Sequence, residues 1–359
     1  MKNKIIHINT AAPKPSSHSI LIIYTGGTMG MVYDESGALV PFDFQLIMEE
    51  VPSLRNLQLN LTVIAFEELI DSSDMNPDHW VAMARIIKEY YESYDGFLIL
   101  HGTDTMAYTA SALSFMLEGL SKPVILTGAQ LPIGASRSDA RENIITALEI
   151  TSAKKNGKPI VQEVCIFFDR FLLRGNRAKK VESSHFDAFH SENYPNLAEA
   201  GIYIEYNEAF LGNFADQATL TIQEELDSHV TILKLFPGIN EKVVEGTLNV
   251  PGLRAVVLET FGAGNAPTAP WFLAALRKAI EKGIIIYNVS QCVGGKVLQG
   301  RYKTSQMLDS IGVIGGNDST TEAAVTKLMY LLGKENSVEA VKEKLKFAIR
   351  GEMQANPSY

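Results

Sequence analysis

Cysteine is almost absent from this chain: among 359 residues only Cys165 and Cys292 occur, each in an apolar or loop context. Two such residues supply neither a disulfide framework nor a thiolate metal cage, so the composition points to an intracellular, reducing compartment. Long apolar runs are missing as well. No stretch approaches the roughly 18 uninterrupted apolar residues of a membrane span, and the IIHI stretch of the first eighteen residues is too short for the core of a secretory signal. Positive charge is in deficit. A net charge of −9 argues against nucleic acid as a main partner, because phosphate binding calls for a basic surface. Internal repeats and low-complexity segments are absent too. What remains, 46% hydrophobic and 20% charged residues, describes a soluble globular protein long enough for two substantial cores.

Two short motifs stand out. Thr25 to Gly30 (TGGTMG) directly follows Ser19 to Tyr24 (SILIIY), a continuous apolar run that reads as a strand buried on both faces. The turn has neither the G-x-G-x-x-G spacing of a dinucleotide loop nor the G-x-x-x-x-G-K-[ST] spacing of a phosphate loop. Gly26 and Gly27 permit a sharp turn that leaves Thr28 with its hydroxyl in open space, a candidate nucleophile. The plain alternative is a connection in which Thr28 bonds a nearby amide. The second motif, His101 to Met106 (HGTDTM), follows the strand Gly96 to Leu100 and precedes a helix expected over Ala107 to Leu120. Loops after parallel strands gather at the carboxyl edge of the sheet, so Thr28, Thr103 and Asp104 are expected to meet there. Thr103 and Asp104 would then make the alcohol nucleophilic; the alternative is that Asp104 or Thr105 caps the helix. His101, a lone histidine at a strand end, reads as packed.

Further strands are expected at Leu61 to Phe66, Pro123 to Thr127 and Glu163 to Phe168, with helices from Pro77 and over Ala140 to Lys155. Alternation of this kind predicts an α/β protein: a larger N-terminal doubly wound domain with a mainly parallel sheet, and a smaller C-terminal α/β domain. The expected layout is a flexible leader at 1–18, a catalytic domain at 19–206, a linker at 207–229 and the second domain at 230–359. Val32 to Gly37 is polar enough for a mobile flap, and Phe42 to Glu50 reads as a short helix. Asp71, Ser72 and Ser73 follow a strand end, where amides and hydroxyls suit a substrate carboxylate; a capped loop is the alternative. The basic run Arg174 to Lys180 reads, by itself, as a solvated face.

The segments YTGGTMGM and LHGTDTMAYTASALSFMLE, with LIDSSDM, LRGNRAKK, FDAF, GNAP, SQC and GVIGG, resemble the L-asparaginases, above all the bacterial cytoplasmic type I enzymes, from about Ser19 to the last helices. The resemblance implies that Asp71, Ser72 and Ser73 contact an amino-acid amide and that Lys180 completes a Thr103–Lys180–Asp104 relay, with Asp104 also holding the substrate ammonium. Some members carry a catalytic tyrosine before the proline that matches Pro41, but the chain reads Gly37-Ala38-Leu39-Val40 there; Tyr33 lies closer to the turn, and Tyr302 matches the tyrosine that mammalian-type relatives use. Tyr302 is the residue expected to assist Thr28. Lys179, Glu259 and Cys292 align with a second, regulatory asparagine site of type I enzymes, where the acid at Glu259 replaces a base. The implied reaction is hydrolysis of L-asparagine through a threonine acyl-enzyme, with no metal or organic cofactor, in a cytoplasmic homodimer or homotetramer. Two alternatives share the pocket: the amide-hydrolysing subunit of a glutamyl-tRNA amidotransferase, which carries an extra N-terminal domain, and an amino-acid sensor without turnover.

Overall fold

The computed structural model describes residues 3–9, 18–33, 39–41, 51–212, 219–298 and 303–354, and the chain divides into two compact units, Met1–Ile222 and Gln223–Tyr359. The first unit is built on a nine-stranded sheet. Its strands are β1 (Asn3–Asn9), β2 (Ser19–Tyr24), β3 (Asn60–Phe66), β4 (Gly96–Leu100), β5 (Val124–Thr127), β6 (Val164–Phe168), β7 (Phe171–Arg174), β8 (Ala198–Ala200) and β9 (Ile204–Tyr206). In space they run β1-β3-β2-β4-β5-β6-β7-β8-β9, with parallel pairing from β3 through β6 and antiparallel pairing on both flanks. The helices are α1 (Pro77–Tyr90), α2 (Met106–Met116) and α3 (Ala140–Ser152).

The central strands are apolar throughout because both of their faces are covered. Ile20, Ile22, Leu98, Leu100, Ile125 and Phe167 share one core with Ile144, Ala147 and Leu148 of α3, while the alternate residues Leu21, Ile23, Phe97, Ile99 and Leu126 are buried on the other face. Counted from β2, the five parallel strands lie in the order 2-1-3-4-5, so the chain reverses direction across the sheet between β2 and β4. That reversal point is where a crevice opens at the carboxyl edge, and the Thr28 turn and the HGTDTM turn are the loops that leave these two strands.

Several expectations need correction. Asn3–Asn9, expected within a flexible leader, is an edge strand paired antiparallel to β3 over its whole length. The helix expected over Ala107 to Leu120 ends at Met116, because Leu117–Glu118 forms a short ladder with Thr221–Ile222. Part of the expected 207–229 linker therefore belongs to the first unit. The helix α3 stops at Ser152 rather than Lys155: Asn156 (φ 53°) and Gly157 (φ 77°) adopt the paired left-handed conformation of a tight hairpin, which draws Lys154 and Lys155 into a ladder with Lys158 and Pro159. The expected flap and the helix at Phe42 to Glu50 fall wholly or largely outside the described residues; Met31–Tyr33 and Leu39–Pro41 pair antiparallel.

The second unit has a four-stranded parallel sheet, β10 (Val230–Lys234), β11 (Ala255–Thr260), β12 (Ile285–Ser290) and β13 (Ile314–Gly315), in that spatial order. Its helices are α4 (Glu241–Leu248), α5 (Pro270–Glu281), α6 (Lys303–Ser310), α7 (Thr321–Lys334) and α8 (Val338–Leu345). Within this unit Lys327 and Glu352 form a fully buried ion pair at 2.7 Å. The Lys327 ammonium also donates to the Phe347 carbonyl, and the Glu352 carboxylate accepts from the amides of Ile349 and Arg350, so the residues after α8 are tied back to α7. Among the described residues, no helix is long and apolar enough to cross a membrane.

Candidate active site

The Thr28 turn is shaped by glycines. Gly26 (φ 128°) and Gly27 (φ 90°) lie where side chains are strained, and both are closely packed: a Cβ on Gly26 would sit 2.4 Å from the Ile70 carbonyl oxygen, and one on Gly27 would sit 2.5 Å from the Gly102 nitrogen. Thr28 then opens a 3-10 turn over Thr28–Gly30. The buried Tyr24 hydroxyl, whose pKa is driven up by desolvation, donates to the Gly30 carbonyl at 2.8 Å and closes the turn from below. Thr28 is half-buried, and its side chain makes no hydrogen bond among the described residues.

The HGTDTM turn is fastened on every side. The His101 amide donates to Thr127 O, Gly102 packs on Ser72 so closely that a Cβ would lie 2.6 Å from its Oγ, and the Thr105 hydroxyl donates to the Ser72 carbonyl at 2.6 Å. Thr105 occupies the N-cap position of α2 without a side-chain capping bond, and the capping role considered for Asp104 is not taken up. Instead the Lys180 ammonium reaches across to both motif residues, donating to Thr103 Oγ1 at 2.8 Å and to Asp104 Oδ1 at 2.7 Å. The lysine side chain is 17% exposed and the aspartate 65%, so this pair fixes geometry more than it stabilises the fold. Thr103 Oγ1 in turn donates to Gln130 Oε1 at 3.4 Å, and Gln130 Nε2 donates to the His185 carbonyl.

Lys180 is held there by the chain that precedes it. After β7 a 3-10 turn at Gly175–Arg177 leads into a short ladder pairing Lys179 with His190 and Lys180 with Phe189. The basic run is not a solvated face throughout: Arg174 is buried against Glu163 at 2.6 Å, and both Arg174 and Arg177 lie over the Tyr194 ring. Burial of a guanidinium needs a paired acid and hydrogen bonds, and Glu163 supplies them from just before the neighbouring strand β6.

The third loop carries Asp71, Ser72 and Ser73. Asp71 caps the 3-10 turn Ser72–Asp74, its carboxylate accepting from the amide and the hydroxyl of Ser73, both at 2.9 Å. Those bonds hold its pKa below the ordinary carboxylate value. The capped loop weighed from the sequence is thus present, and its position against Gly102 puts Ser72 beside the HGTDTM turn. Tyr302 lies outside the described residues, and for Tyr33 and Pro41 only the backbone pairing is described. Lys179 belongs to the first unit; Glu259, which accepts from Thr321 Oγ1 at 2.5 Å and pairs with Lys234 at 3.5 Å, and the exposed Cys292 belong to the second.

Sequence reasoning passed over Gln130 and Asp139, whereas its reading of His101 as packed agrees with the burial of that ring. Gln130 follows β5 as the other motifs follow their strands, and that shared position was the available signal. Asp139 accepts the amides of Gln130 and Leu131, which fixes the Gln130 loop. His101 is wholly buried, with Nδ1 2.6 Å from Gly102 O and Nε2 2.9 Å from Thr109 Oγ1. Desolvation, reinforced by His79 and opposed by the Gly102 bond, lowers its pKa from 6.5 to about 4. The unfolded chain therefore takes up a proton below its own value of about 6.5 that the folded ring refuses until about pH 4, and stability falls by about 3 kcal/mol as pH drops through that window. Urea midpoints of the native protein are expected to decline across it, and those of His101→Gln to decline less steeply.

Three threonine- and serine-bearing loops from successive parallel strands, drawn together by glycine contacts, with one lysine bound to the HGTDTM loop, make a candidate hydrolytic site of an open α/β enzyme. The chain belongs to the asparaginase family: residues 19–211 match the family model described as asparaginase, N-terminal, and residues 229–345 that of the glutaminase/asparaginase C-terminal domain. It is 42% identical to L-asparaginase 1 of Escherichia coli K12 over 337 residues, which cover 93% of this chain and 98% of that one. The crystal structure of L-asparaginase I from Vibrio cholerae superimposes with a TM-score of 0.84 at 41% identity, covering 94% of this chain and 99% of that one. The human 60 kDa lysophospholipase is 42% identical over 358 residues, 93% of this chain and 61% of that protein.

Proposed function

We propose that the protein hydrolyses L-asparagine to L-aspartate and ammonia by two-step acyl transfer in the cytoplasm, as a homodimer or homotetramer. The Thr28 hydroxyl attacks the side-chain carboxamide carbon, ammonia leaves, and water cleaves the resulting ester. The Lys180 contact with Thr103 and Asp104 is the observation that carries this reading: a binding pocket needs no such group, whereas an alcohol nucleophile needs a partner to take its proton. Asp104 also holds the substrate ammonium, and Asp71, Ser72 and Ser73 receive its carboxylate. Tyr302 assists Thr28. The amides of Thr28 and Thr103, which donate no hydrogen bond among the described residues, are the donors for the tetrahedral oxyanion.

The test is ammonia release from a panel of amides, asparagine and glutamine first, with a lysophospholipid as a separate arm. Lys180→Met is expected to lower kcat on asparagine by about 10²- to 10³-fold, the usual contribution of a positioned proton acceptor. Binding of asparagine without turnover by the native protein would identify a sensor instead. Full activity in Lys180→Met would remove the lysine from the relay.

A further inference from the structure

We propose that Trp80, Thr109 and His101 form a buried hydrogen-bond relay that aims the Gly102–Thr103 peptide, making His101 a positioning residue for the HGTDTM turn. The proposal rests on the activity assigned above. Trp80 on α1 donates its indole N–H to Thr109 Oγ1 at 3.0 Å, Thr109 on α2 lies 2.9 Å from His101 Nε2, and His101 Nδ1 lies 2.6 Å from the Gly102 carbonyl oxygen. All three side chains are buried, so each polar atom in the series needs a partner.

The direction of every bond follows from the two ends. Indole nitrogen only donates, so Thr109 Oγ1 accepts from Trp80. A carbonyl oxygen only accepts, so the short contact at Gly102 O requires the proton on His101 Nδ1. A neutral imidazole carries one ring proton, which leaves Nε2 as an acceptor, and the Thr109 hydroxyl must give its hydrogen to it. The Gly102 carbonyl therefore selects the histidine tautomer, and the indole, by filling one lone pair of the Thr109 oxygen, orients the hydroxyl that meets Nε2. The opposite tautomer would set the Nδ1 lone pair against the Gly102 oxygen.

What the ring controls is the peptide plane. In a trans peptide the carbonyl and the following N–H point in opposite directions, so drawing Gly102 O inward turns the Thr103 N–H outward, to the side away from the histidine. That amide is one of the two assigned to the oxyanion, and Thr103 is the residue that Lys180 grips. A peptide free to rotate would misdirect the donor without removing any group that binds ground-state substrate.

Thr109→Val removes the hydroxyl at nearly constant volume. It is expected to lower kcat on asparagine about tenfold, with KM changed less than about twofold, because the amide acts on charge that develops in the transition state. Thr109→Ser restores the hydroxyl and is expected to recover most of kcat, a rescue that loss of packing would not show. If the valine variant does not fold, Trp80→Phe removes the indole N–H together with part of the ring volume and carries the same kcat and KM readout. Nitrogen-15 spectra of histidine-labelled native protein are expected to show His101 protonated on Nδ1. Protonation on Nε2, or kcat unchanged in folded Thr109→Val, overturns the relay. A native protein that releases no ammonia overturns the assigned activity instead, and the tautomer then decides the relay by itself.

Discussion

Replacing Thr28 by alanine is expected to cut asparagine turnover by at least about 10⁴-fold, the loss usual when a hydrolase surrenders its nucleophile but keeps its binding and oxyanion groups. The fold should be untouched, since the Thr28 side chain is half-buried and engages no hydrogen bond among the described residues. Thr28→Ser retains a hydroxyl and should retain measurable turnover. Rapid quenching followed by mass measurement should find an acyl adduct on a peptide containing Thr28 in the native enzyme and none in the alanine variant. An alanine variant with native activity would remove Thr28 from the chemistry and return the role to another alcohol, with Thr103 the nearest in kind.

The second large effect is structural in origin and functional in outcome. Gly27→Ala places a Cβ 2.5 Å from Gly102 N and 2.6 Å from Gly102 Cα while holding alanine at a φ of 90°. Backbone atoms cannot rotate aside as a flexible side chain does, so the two turns must separate. A destabilisation of about 3 kcal/mol or more is expected, with turnover falling even in the folded fraction because Thr28 and Thr103 move apart. Gly157→Ala is the control: its φ of 77° is equally left-handed, but nothing lies within 4 Å of the added atom, so only the conformational strain of about 1 kcal/mol remains. Thermal unfolding and kcat measured on both variants separate strain from collision. Equal losses in the two would mean that the contact between the turns has no bearing on the site.

Much of this was legible before any coordinates. The buried strands announce themselves as apolar runs, and the glycines mark where β2 and β4 end, because a covered parallel strand has no polar face to disguise it. Thr28, Thr103 and Asp104 could be nominated from those strand ends alone. Lys180 could not: its neighbours Arg174 and Arg177 look like a solvated basic face until Glu163 and Tyr194, remote in sequence, are seen to bury them. His101 was read as packed and is packed, but its partners were illegible for a related reason. A packed histidine and a positioning histidine have the same sequence context, and the difference lies in Trp80 and Thr109 on two separate helices. The antiparallel flank at Asn3–Asn9 was hidden because an edge strand takes its pairing from a partner some sixty residues away and carries a weak pattern of its own.

The salt bridge sealed inside the second unit bears on how this protein can be trimmed. Removing Glu352 would leave the Lys327 ammonium enclosed with two carbonyl oxygens and no counter-charge, an arrangement that apolar surroundings tolerate badly. The stretch through Met353 is therefore part of the unit's interior, and a form cut before Glu352 is expected to lose the folded second unit.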